Sequence, residues 1–274
     1  MKHTFLKCVA LAIPCLFFNP AQAAVMLSGG LTHEYNVNPG STVSGVLELK
    51  NTGNEAAEVK IYQEDVKVNA AGSTEYTPGN GSHARSNANW INLGTDRVTL
   101  APGASQSVPY TLQVPGGNLQ GSYWSMLMLE PVSNSSRESQ LAPQTEKPGL
   151  TIHQKVRYAV QVLANVGNQG AANLKFEAPQ VTKDRQGGRA FHVAIANTGN
   201  RHSRPKVWLD VFGADGSNVG KFSAETHGLY AGEREMFSIN LSDLSPGNYK
   251  ALLAAEDNNN GQMFGSDINL TIKP

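Results

Sequence analysis

Asn51-Thr52-Gly53-Asn54 and Asn197-Thr198-Gly199-Asn200 are the same four-residue word, and each ends an alternating apolar stretch. Aligning the two copies sets Leu47 and Leu49 against Val193 and Ile195. The match continues downstream, where Ala101-Pro102-Gly103 answers Tyr230-Ala231-Gly232 and Gly121-Ser122-Tyr123 answers Gly247-Asn248-Tyr249. An alternating strand comes after each shared turn, so the chain reads as one β domain used twice. The word itself reads as a turn in which Asn and Gly accept positive φ. Its copies lie 146 residues apart, while Tyr123 and Tyr249 lie 126 apart. The first copy therefore carries an insertion, the Gly-, Ser- and Asn-rich stretch 69–89, with no clear strand beyond Ser73–Tyr76.

Working outward, the second copy shows seven strand-like runs between Leu174 and Ile272, separated by Gly- and Asn-containing turns. Seven runs at that spacing predict an immunoglobulin-like sandwich. The Tyr at 123 and 249 suits the start of a sixth strand, and Ser125 and Ala251 stand where disulfide-bearing sandwiches place a Cys. The first copy opens on Val25–Val37, interrupted at Gly29-Gly30, which reads as a strand broken in two at a sheet edge. It closes with a long polar loop, 133–149, and a strongly β stretch, 150–166. The expected organisation is all-β: two tandem immunoglobulin-like β-sandwich domains, 24–166 and 167–274, after a cleaved signal peptide at 1–23.

That leading segment has Lys2 and Lys7, an apolar run Val9–Phe18 and an Ala21-Gln22-Ala23 end, the pattern of a secretory signal. Its apolar run is too short to span a bilayer, and no later stretch qualifies, so no transmembrane segment is expected in the mature chain. Both cysteines, Cys8 and Cys15, fall inside it. An exported domain pair without disulfides is held by burial and hydrogen bonds alone. Without Lys2 and Lys7 the chain has 20 basic and 22 acidic residues, a net of −2. A balance of that kind offers no field for nucleic acid.

Catalytic patterns are missing from the sequence. There is no G-x-S-x-G elbow, and the six histidines after residue 23 have no metal-ligand spacing. His192 reads as a surface imidazole. Glu256–Gly261 lacks the alternate-ligand spacing of a calcium loop and reads as a hairpin turn. Arg201, Arg204 and Lys206 read as a solvated loop, and Glu64-Asp65 as a solvated strand end. The expectation is a non-enzyme with no catalytic residues, no metal and no cofactor.

Two features remain. If Tyr123, Ser125, Leu127 and Leu129 face the core, Trp124, Met126 and Met128 face outward, where the second copy has Lys250, Leu252 and Ala254. Such a stripe is either a recognition surface or a face covered by the neighbouring domain or the first-strand segment. The second feature is the last strand of the first domain. It comes after a long loop, precedes the interdomain link and carries Lys155 and Arg157 on one face, which suits strand addition by a partner along Leu150–Val162. The same basic pair also suits a guarded edge.

Trp90-Ile91, Leu100-Ala101-Pro102-Gly103, Gly121-x-Tyr123 with Leu127-x-Leu129, and an Arg157-Tyr158 strand after a long loop resemble the periplasmic chaperones of the chaperone–usher pilus pathway. The likeness covers mostly residues 25–166. It implies a periplasmic protein that lends the last strand of its first domain to a subunit of a surface fibre, with a cleft basic residue anchoring the subunit's C-terminal carboxylate. Arg157, or Lys155 beside it, takes the anchor role by position, and Leu141, Leu150 and Ile152 are the apolar residues available before it. The family's second cleft basic residue lies in the first strand, and Val25–Val37 contains no Arg or Lys. A second likeness, to the WxL-interacting cell-surface proteins, rests on Asn38-Pro39-Gly40, Asn51-Thr52, Asn69-x-x-Gly72-x-x-x-Tyr76 and Leu100-Ala101-Pro102. It implies peptidoglycan binding by the first domain, at the cell surface, and partner contact by the second.

Overall fold

The computed structural model describes residues 25–68, 73–81, 83–132, 157–183 and 188–273. Residues 1–23, expected to be a signal, and Leu141, Leu150, Ile152 and Lys155 lie outside the described residues. The first unit contains β1 (Val25–Ser28), β2 (Thr32–Val37), β3 (Thr42–Asn51), β4 (Ala57–Val68) and β5 (Thr74–Pro78). It continues with β6 (Ile91–Leu93), β7 (Arg97–Leu100), β8 (Ser105–Gln113), β9 (Gly121–Pro131) and β10 (Tyr158–Val166). One sheet runs β1-β3-β8-β6 and the facing sheet β2-β10-β9-β4-β5, with β7 paired to β4. Alternation builds the core between them: Leu47 and Leu49 are buried while Val46, Glu48 and Lys50 are exposed. Each such leucine contributes about 2 kcal/mol by leaving water.

The second unit contains β11 (Leu174–Lys183), β12 (Arg189–Asn197), β13 (Lys206–Phe212) and β14 (Asn218–Ser223). It ends with β15 (Arg234–Asn240), β16 (Gly247–Glu256) and β17 (Met263–Ile272). Its sheets run β11-β12-β15 and β14-β13-β16-β17 around a separate core that includes Phe191, Leu209 and Phe237. The chain is all-β, with two sandwiches. Tyr249 makes the corner expected of it, donating its hydroxyl to the Ser245 carbonyl at 2.9 Å. Ser125 and Ala251 are buried at the two positions where a Cys would stand.

The repeated word owes its recurrence to a side chain. Asn51 is fully buried, and its Nδ2 donates to the carbonyls of Glu55 (2.6 Å), Leu100 (3.1 Å) and Ala101 (3.3 Å). Asn197 repeats this, donating to Arg201 (2.7 Å) and Leu229 (3.4 Å), the residues that align with Glu55 and Leu100. In each copy Oδ1 accepts the N–H two residues on, at 2.9 Å for Gly53 and 3.1 Å for Gly199. The expectation of positive φ is corrected here, since neither Asn197 nor Gly199 is left-handed. Gly199 is small because a Cβ there would strike the Ala171 carbonyl.

The first strand is broken as expected. Gly29 (φ 107) turns the chain from β1, antiparallel to β3, into β2, parallel to β10. The insertion supplies β5 and then a segment that fills a gap in the sheet. β4 leaves β9 after Glu64 to pair with β5, and residues 85–87 take its place beside Trp124. There Trp124 N–H donates to Arg85 O (2.9 Å) and Asn87 N–H to Trp124 O (3.3 Å).

Candidate functional site

The face of the six-stranded sheet turned away from the first core carries Trp124, Met126 and Met128 on β9 and Ala159, Gln161 and Leu163 on β10. These are matched pair by pair in register: Trp124 with Leu163, Met126 with Gln161, Met128 with Ala159. The parity read from the sequence is therefore right, but an exposed recognition stripe is corrected. Trp124 is 2%, Met126 8% and Met128 2% exposed, in a third apolar cluster with Val66, Leu163, Tyr230 and Ala231. Trp124 stacks on Tyr230 of the second unit (centroids 4.5 Å, 16°), lies 5.1 Å from the His83 ring and donates Nε1–H to Val66 O at 3.2 Å. Insertion and second domain together form its pocket.

Polar groups lock the same junction. Gln161 Nε2 donates to Tyr230 OH (2.8 Å), Thr32 Oγ1 to Gln161 Oε1 (3.2 Å) and Arg204 Nη2 to Thr32 Oγ1 (3.2 Å). Ser122 N–H donates to Asn200 O (2.8 Å), and Ser122 Oγ accepts the His202 N–H (2.8 Å). Gly121 (φ 92) lies so close to the Asn200 carbonyl that a Cβ would overlap it. Arg201 Nη2 donates to three carbonyls of the link, those of Val166 (3.4 Å), Gly167 and Gln169 (3.1 Å). Arg201 and Arg204 thus hold the domains together instead of forming a solvated loop. The alignment contained a signal for this, because Arg201 occupies the place of Glu55.

Several ionisable groups at the junction are perturbed, His202 and Glu233 among them. Burial, then the nearby Arg204 charge, pushes His202 down to about 4, so its imidazole is neutral at pH 7. Burial raises Glu233 to about 7 against the N–H of Val68, which donates to its Oε2 at 3.1 Å.

Arg157 stands at the start of β10 on the junction-facing side, its side chain 38% exposed. Its Nη1 donates to Tyr62 OH (2.9 Å) and Glu64 Oε1 (3.2 Å), while Tyr62 OH donates to Glu130 Oε2 (2.7 Å). The hydrogen bond to Tyr62 is the main cause raising Arg157, so the guanidinium stays charged. Among the described residues neither Nε nor Nη2 is engaged, which leaves one edge of the fork for a carboxylate. Glu64 and Asp65 are not a solvated strand end. Asp65 is fully buried and accepts the Ser86 hydroxyl, and Glu64 binds Arg157.

Of the sheet edge expected along Leu150–Val162, residues 150–156 lie outside the described residues, and only the last two positions are corrected. Gln161 and Val162 pair with Thr32 and His33 of β2, and Gln161 N–H donates to Leu31 O (2.8 Å). Any added strand therefore has to stop before Gln161.

Ser86, His83 and Asp65 have the composition of a hydrolase triad but not its wiring. The serine hydroxyl donates to the aspartate, and His83 Nε2, 3.9 Å from Asp65, makes no hydrogen bond among the described residues. Among the described residues no cluster of three or more His, Cys, Asp or Glu can hold a metal ion, and no helix is long and apolar enough to cross a membrane. His192 is tied to Thr182 Oγ1 at 2.8 Å, and Glu256–Gly261 is the β16–β17 hairpin connection.

No protein-family model and no curated protein sequence matches the chain. Solved structures to which it is similar include one titled for the chaperone–tip adhesin complex of CFA/I fimbriae biogenesis, at 14% identity over 92% of this chain and 100% of that one, TM-score 0.48. A second is the class 5 fimbriae chaperone CfaA, at 13% identity over 91% and 99%, TM-score 0.46. A third is the CsuC–CsuE chaperone–tip adhesion subunit pre-assembly complex of Acinetobacter baumannii, at 12% identity over 90% and 98%, TM-score 0.46.

Proposed function

We propose that the protein is an exported, non-enzymatic chaperone-like factor that binds a subunit of a surface fibre during assembly. Support comes from the sequence likeness to pilus chaperones and from the junction-facing side of the first domain. The single observation that carries the reading is Arg157. It is a partly exposed guanidinium at the mouth of β10, braced by Tyr62 and Glu64, with one edge of its fork unengaged among the described residues.

In this reading the subunit's terminal carboxylate takes that unengaged edge, and its chain adds alongside the residues before Gln161. Main-chain hydrogen bonds supply affinity, and the carboxylate on Arg157 fixes the register. Glu64 fixes the guanidinium in position, so its rotamer freedom is already lost before the partner arrives.

The test is titration of the protein with a synthetic peptide copying the C-terminus of a fibre subunit encoded beside it, as free carboxylate and as amide. The free acid binds the wild-type protein, and both amidation and Arg157→Ala weaken it about tenfold or more, the loss of one charge-assisted pair. Equal binding of acid and amide removes the anchor. Retention of the protein on purified peptidoglycan sacculi, with no peptide binding, favours the envelope-binding reading.

A further inference from the structure

The two sandwiches treat their last strands differently. Tyr123 pairs with Ala164 in the first, and its equivalent Tyr249 pairs with Leu270 in the second, so β10 residues 161–166 correspond to β17 residues 267–272. In the first domain that stretch is covered by β2, in parallel register from Gln161↔Thr32 to Val166↔Val37. In the second, β17 is the last strand of its sheet among the described residues.

The cause is local. Val25 and Leu174 occupy equivalent places, opposite Asn51 and Asn197, so Gly29-Gly30 aligns with Ala178-Pro179. At the glycines the chain crosses to the other sheet. At Ala178 (φ 46) it makes a bulge instead and returns to β12 through Lys183. Where a counterpart of β2 would lie there is a groove of about 530 Å³, lined by Pro179, Gln180, Val181, Phe191 and Asp267–Thr271.

The backbone of that edge is ready for pairing. Asp257 N–H donates to Gln262 O at 2.9 Å, and the alternation from that pair assigns Ile268 and Leu270 to β16. It turns the N–H and C=O of Asp267, Asn269 and Thr271 to the open side. The first domain has the same parity, since Gln161, the equivalent of Asp267, gives its N–H to Leu31. Ten residues long, β17 carries one charge, Asp267, and so lacks the guarding that long edges usually have.

We propose that Asp267–Ile272 is a docking edge for an extended segment of a partner protein, which adds as a parallel strand in the place β2 holds in the first domain. The first domain specifies the chemistry. β2 turns Tyr35 and Val37 toward its core and Thr32, Glu34 and Asn36 outward, and Thr32 meets Gln161. The segment is therefore about six residues long, apolar at alternate positions that lie over Val181 and Ile268, with a basic residue opposite Asp267. This site is independent of Arg157 and stands or falls separately from the carboxylate anchor.

The test uses the protein without residues 1–23 and an acetylated, amidated hexapeptide of sequence Lys-Val-Thr-Val-Ser-Val, monitored by amide NMR. Shifts and slowed exchange are expected at Asp267, Asn269 and Thr271, with shifts at Gln180 and Val181 of the facing wall. Asn269→Pro removes an outward N–H without touching the β16 ladder and weakens binding about tenfold. Asp267→Lys weakens the Lys peptide and restores binding to its Glu counterpart. Shifts confined to the first domain, no shifts at all, or full binding by a folded Asn269→Pro protein would overturn the proposal. Peptide-free protection of the same amides that rises with protein concentration would also overturn it, since a second copy would then be the occupant.

Discussion

One turn, used twice, has two fates. Asn51 and Asn197 make the same staple with the same aligned carbonyls, yet Thr52, Asn54 and Glu55 are exposed while His202, beyond the second staple, is buried at the junction. The second turn presents Asn200 to β9 and Arg201 to the link. The turn thus belongs to the fold, whereas Asn200, Arg201 and His202 belong to the assembly of the two domains. The last strands differ in the same way: β10 is covered by β2, whereas among the described residues no strand pairs with the outer edge of β17.

The largest expected effect breaks the junction. Trp124→Ala removes an indole packed between insertion and second domain and should cost about 4 kcal/mol in urea unfolding. If it costs less than about 1 kcal/mol, the domains are not held through this face. Next come the staples. Asn51→Ala and Asn197→Ala each strand buried carbonyls and should cost about 3 kcal/mol. Only Asn197→Ala should also speed amide exchange at Ser122, whose N–H is bonded to Asn200 O. Equal exchange in both variants would erase the distinction between the copies.

Acid sharpens the comparison further. His202 is pushed down to about 4, below its ordinary 6.5, so between these values the unfolded chain binds a proton that the folded chain refuses. Stability from this group is intact above pH 6.5 and falls toward pH 4, by up to roughly 3 kcal/mol. Glu233, raised to about 7, acts in the opposite sense, since the folded chain holds its proton longer and stability rises as pH falls from 7 toward 4.5. His202→Gln should therefore gain stability on acidification from pH 7 to 5 relative to wild type, measured by urea midpoints. A parallel pH response in both proteins would show that His202 is not the acid-sensitive group. The smallest effect is expected at Arg157→Ala. Its partly exposed ion pair should change stability by no more than about 1 kcal/mol, so a binding defect there would not be a folding defect.

Most of the fold was legible because period-two alternation and shared turns are local signals. Leu47, Leu49, Val193 and Ile195 declared two cores, and Gly29-Gly30 declared the break in the first strand. The site was less legible, since burial from a second domain leaves no periodic mark. Trp124, Met126 and Met128 had the right parity, but Tyr230 and the insertion that cover them come from distant stretches. Arg201, Arg204 and Glu64 look like solvated charges until their partners, Val166, Thr32 and Arg157, are brought near by topology. The groove beside β17 was hidden for a similar reason. Ala178-Pro179 aligns with Gly29-Gly30 only after the strand registers are known, and then the substitution of two glycines explains why one strand crosses and the other does not.

Capture of a fibre subunit through Arg157, on the junction-facing side of the first domain, is the central claim. Its most direct test is co-expression of the protein with such a subunit and measurement of the soluble fraction recovered after export. Wild-type protein should keep the subunit soluble, and Arg157→Ala should leave most of it aggregated or degraded while remaining folded itself. Equal subunit solubility with wild type, with Arg157→Ala and with no protein at all would contradict that role.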